Sequence, residues 1–210
     1  MFTSVILGAG KSTRMKANKS KLLFNIAGKP VINHILSSLK AAKAKHNICV
    51  INNSSAELIK ILQAEKISFA YQKILDGTAG AVKAALKSKK NSNSKILILC
   101  GDVPFITSSS IKKLVAKLKN HDAVVGTVEL ESPKGYGRIV RVNNKFSSIV
   151  EEKETTPDER QIREVNTGII AIQENVLRKY ISLIKNNNQK KEYYLTDCLL
   201  YTSPSPRDLS

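Results

Sequence analysis

VILGAGKSTRMKANKSK, residues 5–21, is the stretch whose reading decides the fold. The apolar run Val5-Ile6-Leu7 reads as a buried parallel strand. It stops at Gly8-Ala9-Gly10, where small residues let backbone N–H groups approach a ligand closely. Basic side chains follow at Lys11, Arg14, Lys16, Lys19 and Lys21. Donors for phosphate oxygens, then fixed positive charge, is the order a polyphosphate site needs. Two familiar loops fail on spacing. A Walker A loop, G-x-x-x-x-G-K-S/T, would put its first glycine at Val5, inside the strand. A dinucleotide fingerprint, G-x-G-x-x-G, would need a glycine at Thr13. Taken alone, the stretch is also compatible with a plain strand-to-helix turn carrying solvated lysines, the less favoured of the two readings.

Working outward, strands and helices alternate. Pro30 fits a first helical position, and Val31, Ile35, Leu39 and Ala42 recur at helical spacing. Residues 48–51 read as a strand, Ser54 or Ser55 as the cap of a helix carrying Leu58, Ile61 and Leu62, and 67–71 as a third strand. A helix is expected over 77–89 and the most apolar strand over 95–102, KILILCGD. Thr107 to Ser110 can cap a helix with Ile111, Leu114, Val115 and Leu118, and 123–130 reads as a strand. Residues 139–150 read as a hairpin turning at Asn143-Asn144, 152–163 as an exposed charged loop, 165–172 as a strand and 175–185 as a helix. A last helical segment starts near Tyr193. The expectation is an α/β fold: a Rossmann-like, mostly parallel mixed sheet with helices on both faces and a small antiparallel substrate-facing lobe. Asp102, following the most apolar strand, stands at the edge where such sheets bind ligands. An aspartate there is either a turn residue before Pro104 or a metal ligand, and the context favours the metal.

Composition narrows the classes. The 210 residues, 42% hydrophobic, suit one globular domain. No apolar run is long enough to span a bilayer and no secretory segment is evident, so a cytoplasmic protein without a membrane partner is expected. Cys49, Cys100 and Cys198 show no C-x-x-C spacing, and His34, His46 and His121 lie far apart, which disfavours a disulfide or a transition-metal site. The net charge of +17 comes with lysines spread along the chain, only 5% aromatics and no Trp, a poor pattern for nucleic acid. That charge still steers anionic nucleotides.

LGAGKSTRM followed by Lys21 and by Ala27-Gly28-Lys29-Pro30 resembles the opening of sugar-phosphate nucleotidyltransferases. Later segments fit in order: Gln72 with Gly77-Thr78, Cys100-Gly101-Asp102-Val103-Pro104, Gly135-Tyr136-Gly137-Arg138, Ile149-Val150-Glu151, Glu164-Val165-Asn166-Thr167-Gly168, and Glu192-Tyr193-Tyr194-Leu195-Thr196-Asp197. Within the family the chain is most similar to the N-terminal uridyltransferase (pyrophosphorylase) domains of bifunctional enzymes that make UDP-N-acetylglucosamine, and the likeness runs to about Leu200. The resemblance implies UTP and N-acetylglucosamine 1-phosphate as substrates, UDP-N-acetylglucosamine and pyrophosphate as products, and Mg²⁺ as cofactor. It implies that Leu7, Gly8, Ala9 and Gly10 hold the nucleotide together with Lys21, Cys100, Gly101 and Asp102, with Arg14, Lys21 and Asp102 as the catalytic set. Gln72, Gly77 and Thr78 match uracil-reading positions, Asp102 a Mg²⁺ ligand, and Gly137, Glu151 and Asn166 amino-sugar contacts. Gly137 could equally shape a turn and Glu151 end a strand.

Some positions depart from the family pattern. Ser12 stands where the family has a second glycine, and Ser20 where it has the proline before the lysine. A second Mg²⁺ ligand of the family, an asparagine, is expected beyond Leu200; the family's acetyltransferase half has no counterpart in these 210 residues, and an oligomer is expected only through such a further C-terminal domain. The end, YTSPSPRDLS over 201–210, has two prolines and no helical period, so residues 1–200 are expected to form an incomplete nucleotidyltransferase domain followed by a non-native tail. Two other functions stay open at this point: a molybdopterin-type guanylyltransferase of the same fold, and an inactive nucleotide-binding module.

Overall fold

The computed structural model describes residues 1–10, 20–52, 56–91 and 93–201. In chain order the elements are β1 (Phe2–Leu7), a small hairpin of β2 (Asn25–Ile26) and β3 (Lys29–Pro30), α1 (Val31–Ala41), β4 (His46–Ile51) and α2 (Ala56–Ala64). They continue with β5 (Ser68–Tyr71), α3 (Thr78–Lys87), β6 (Lys95–Cys100), α4 (Ser108–Lys117) and β7 (Ala123–Glu129). The last are the hairpin β8 (Arg138–Val142) and β9 (Lys145–Val150), then β10 (Glu164–Gln173) and α5 (Glu174–Tyr180).

Among the described residues, eight strands share one sheet in the order β5-β4-β1-β6-β10-β8-β9, with β7 also paired to β10. β1 lies between β4 and β6 and is parallel to both, and β4 is parallel to β5. The carboxyl ends of four strands therefore meet along one edge, where Gly8, Asn52, Gln72 and Gly101 follow in their respective chains. Side chains alternate across the sheet. Leu97 and Leu99 of β6 join the core under α1, α2 and α4, while Ile96 and Ile98 join the core under α3 and α5. All four are fully buried, which is why the strand is apolar at every position from Ile96 to Leu99.

The mixed sheet agrees with the expected fold class, and details differ for physical reasons. Helix α1 begins at Val31, one residue later than expected, with Pro30 as its N-cap, because Pro30 pairs with Asn25 in the small hairpin. The strand expected over 165–172 is β10, which is antiparallel to β6 and β7 and lies inside the sheet between them. The β8–β9 hairpin turns at Asn143 and Asn144, both with positive φ, and joins the sheet through Arg138 opposite Val165. The charged stretch 152–163 is not simply exposed. Arg138 is 2% exposed, and a buried guanidinium needs a carboxylate, which Glu152 supplies at 2.7 Å. The helix expected over 175–185 stops at Tyr180, after which Ile181 and Ile184 both turn into the core. The Ser54 or Ser55 cap lies outside the described residues.

At the opposite end of β6 from the ligand edge, Glu174 is fully buried. Its carboxylate accepts from Lys89 at 2.8 Å, the Ser94 amide at 3.1 Å, the Ser94 hydroxyl at 2.9 Å and Arg178 at 3.0 Å. Burial opposes the charge, yet the bonds from Lys89, Ser94 and Arg178 outweigh it and hold the carboxyl down at about 2. A depressed carboxylate stabilises the fold above its ordinary value of 4.5, and that stabilisation is lost as pH falls from there through about 2. Glu174→Ala is expected to cost about 3 kcal/mol at pH 7. The cost should shrink in urea melts as the pH is lowered toward 3, and a pH-independent difference would show that poorer packing is responsible.

Candidate active site

Leu22 organises the ligand edge. It belongs to a 3₁₀ turn, Lys21–Leu23, whose N-cap Ser20 accepts from the Leu22 amide. Ser20 has φ −57°, a value that a proline also holds, so the serine satisfies the same backbone and adds a cap. A Cβ on either Gly8 or Gly101 would come within 2.5 Å of the Leu22 side chain. The two glycines thus let one buried leucine wedge between the ends of β1 and β6. In doing so it brings Lys21 over β6, where Nζ meets Asp102 Oδ2 at 2.6 Å.

The glycine turn supplies fewer donors than its sequence suggests. The Gly8 amide donates to the Val50 carbonyl at 2.9 Å, and the Leu7 carbonyl accepts from Gly101 at 3.0 Å. Asn52 holds the turn from the side by donating to the Ala9 carbonyl at 2.9 Å. The amides of Ala9 and Gly10 donate to no described residue. A Cβ on Gly10 would meet open space. The pair available to an anion is therefore Ala9 and Gly10, with Lys21 as the cation. Arg14 and Ser12 lie outside the described residues. The Cys100 thiol, raised to about 11 by burial and then by Asp102, lies against the Gly168 carbonyl, so Cys100 offers a ligand its backbone only.

Gln72 continues β5 with its amide bonded to the Ile51 carbonyl at 3.0 Å. Its side chain donates to the Gly77 carbonyl at 3.0 Å and to Asp76 Oδ1 at 3.1 Å. Gly77, the N-cap of α3, has φ +113° and packs directly on the backbone of Tyr193. Tyr193 donates to the Asp76 carbonyl at 2.7 Å and accepts from the Ala79 amide at 2.9 Å, while Thr78 Oγ1 accepts from Leu195 at 2.9 Å. Residues 193–195 are thereby clasped to the loop that carries Gln72.

Gly137, Glu151 and Asn166 come together at the same edge. The Asn166 amide donates to the Gly137 carbonyl at 2.9 Å, and a Cβ on Gly137 would approach Glu151 Oε1 at 3.5 Å. Asn166 Oδ1 accepts from the Gly168 amide at 2.9 Å, across the irregularity where β10 changes register. Glu151 is raised by burial first and, against the pull of Lys190, by Glu154, Asp197 and Glu192. Asp197 is raised by burial and Glu154, and Tyr194 is pushed up to about 12 by burial and the same carboxylates. This acidic corner was hidden in the sequence, although E-Y-Y-L-T-D was visible as a motif.

Among the described residues, no three His, Cys, Asp or Glu side chains gather as a metal-holding group. Asp102 offers one carboxylate, with its side chain 58% exposed, just past the carboxyl end of β6. That donor fits Mg²⁺, which takes one or two carboxylates and fills its shell with phosphate oxygens and water. A cavity of about 620 Å³ borders Asp102 between α4 and β7, lined by Phe105, Lys113, Thr127 and Thr167. Neither the glycine turn nor the Gln72 loop lines it.

A model of the MobA-like NTP transferase domain matches residues 4–162. The chain is 42% identical over 200 residues to the bifunctional protein GlmU of Francisella tularensis subsp. novicida, and equally to that of subsp. holarctica strain OSU18. Each alignment covers 94% of this chain and 43% of the relative, so the chain spans less than half the length of these curated proteins. Among solved structures, it superposes on a UDP-glucose pyrophosphorylase complexed with UDP-glucose with a TM-score of 0.73 at 17% identity, covering 96% of this chain and 86% of the other. A putative glucose-1-phosphate thymidylyltransferase from Bacillus anthracis gives 0.73 at 18% identity, with 96% and 82% covered. At that identity these two structures bear on the fold alone.

Proposed function

Since the chain belongs to the family of MobA-like NTP transferase domains, we propose that it acts as a uridylyltransferase, joining UTP and N-acetylglucosamine 1-phosphate to give UDP-N-acetylglucosamine and pyrophosphate. The observation that carries this reading is the convergence on one sheet edge of three groups. These are the amides of Ala9 and Gly10, which donate to no described residue, with Lys21 and Asp102, the Gln72 loop, and the Gly137–Glu151–Asn166 cluster.

A sugar-phosphate oxygen attacks the α-phosphorus of UTP, forming one P–O bond, while the bond to the β-phosphate breaks and pyrophosphate leaves. The second pKa of a phosphate is about 6, so the nucleophile is already an anion and no base has to take a proton. The task of the protein is to align anions and neutralise them. The Ala9 and Gly10 amides and Lys21 receive the phosphates. Asp102 would hold Mg²⁺, which would supply positive charge to offset the negative charge of the phosphates. Glu151 accepts from a sugar hydroxyl, Asn166 and the Gly137 backbone fix the amino sugar, and Gln72 with the backbone at Gly77 reads the base.

The family also includes guanylyl transfer, so nucleotide choice is the discriminating experiment. In competition binding on the whole chain, UTP is expected to bind about tenfold or more tightly than GTP. A preference for GTP would overturn the uridylyl reading. Among the described residues, no helix is long and apolar enough to cross a membrane.

A further inference from the structure

The side-chain amide of Gln72 is held in one orientation by what surrounds it. Its NH₂ end lies 3.1 Å from Asp76 Oδ1 and 3.0 Å from the Gly77 carbonyl. A carboxylate and a carbonyl can only accept, so the end of the amide facing both must be the donor. Oε1 is left on the other side and takes no hydrogen bond from a described residue. Turning the amide over would set Oε1 against two acceptors, one of them charged.

Asp76 reaches this place because residue 80 is glycine. A Cβ there would lie 1.7 Å from Asp76 Oδ1. The backbone of Asp76 is tied down as well, since its carbonyl accepts from Tyr193 at 2.7 Å. We infer that Asp76 is a positioning residue: it locks Gln72 so that Oε1 is a fixed acceptor, and the site thereby selects bases that carry a ring N–H. The inference rests on the reading of Gln72 as the base contact. Uracil and thymine offer N3–H and guanine offers N1–H, whereas cytosine and adenine present a bare ring nitrogen that would face Oε1 lone pair to lone pair.

The test is isothermal titration of the whole chain with UTP, CTP, GTP and ATP. The unmutated protein is expected to prefer UTP to CTP by about tenfold to a hundredfold, the range set by one buried, unpaired acceptor. Asp76→Leu should lower that ratio by at least about threefold, because the Gly77 carbonyl alone then holds the amide and the charged acceptor opposing its rotation is gone. Gly80→Ala should do the same while keeping both Asp76 and Gln72, since the new methyl must push the carboxylate aside, and it serves if Asp76→Leu does not fold. Asp76→Asn, which retains an oxygen at this place, should restore the preference. An unchanged UTP to CTP ratio in folded Asp76→Leu or Gly80→Ala overturns the lock and leaves the uridylyl reading standing. A preference for GTP over UTP overturns the uridylyl reading, and the lock then survives only if Asp76→Leu reduces the preference for GTP over ATP by at least about threefold. Absence of any preference for ring N–H bases in the unmutated protein overturns the lock.

Discussion

Asp102→Asn is expected to lower Mg²⁺-dependent release of pyrophosphate from UTP and N-acetylglucosamine 1-phosphate by at least about a hundredfold, with little change in melting temperature. The carboxylate is a hard oxygen donor at the carboxyl end of β6, and an amide neither neutralises a divalent cation nor binds it well. Stability should hardly move. The substitution removes a 2.6 Å ion pair to Lys21 in which the aspartate side chain is 58% exposed, and such pairs contribute about 0–1 kcal/mol. Binding gives an independent readout. Mg²⁺ should tighten UTP binding to the unmutated chain and have no effect on UTP binding to the variant. Lys21→Ala separates the partners by the opposite pattern, weakening UTP about tenfold even without Mg²⁺ because the phosphates then lack a cation. If UTP binding by Asp102→Asn still responds to Mg²⁺ as the unmutated chain does, the metal assignment is wrong.

Gly77→Ala is expected to be among the most destabilising single-methyl changes in the chain, at about 3 kcal/mol or more. Two costs combine. The backbone there, φ +113° and ψ −178°, is a region that side chains hardly tolerate. The new Cβ would also stand 2.5 Å from the Tyr193 carbonyl oxygen and 2.8 Å from its nitrogen, and backbone cannot swing away as a side chain can. For a chain of this size the melting temperature should fall by roughly 6–12 °C. Gly135→Ala is the control, because Gly135 also has positive φ, +91°, but faces open space, so it carries strain without collision. Equal melting temperatures for the two variants would mean that residues 193–195 simply move with the loop and do not clamp it.

The glycine turn, the apolar β6 and the aspartate behind it were legible in the sequence because each is a local pattern: composition changes abruptly where a buried strand ends. The hairpin at Asn143-Asn144 was legible for the same reason, since only a few residue types accept two successive positive φ values. The ordered motifs also named Gly137, Glu151 and Asn166, which the fold brings together. Other features were out of reach. The burial of the Gly8 amide against Val50, the Leu22 wedge and the Lys21–Asp102 pair join residues far apart in the chain, 81 positions in the last case. Asp76 looked like part of an ordinary loop until Gly80 and Gln72 were seen beside it.

By itself, the sequence determined which segments are buried, where strands stop and which chemical groups are available, because periodicity and residue type report burial and backbone freedom directly. Only the tertiary structure decided that β10 runs antiparallel inside the sheet, that the Gly8 amide is spent on Val50 while those of Ala9 and Gly10 donate to no described residue, and that Tyr193 clasps the loop carrying Gln72. The physical reason is that a hydrogen-bonding group carries no mark of its partner in the chain. Whether it faces a ligand or the protein is settled only when distant strands and loops pack and compete for it.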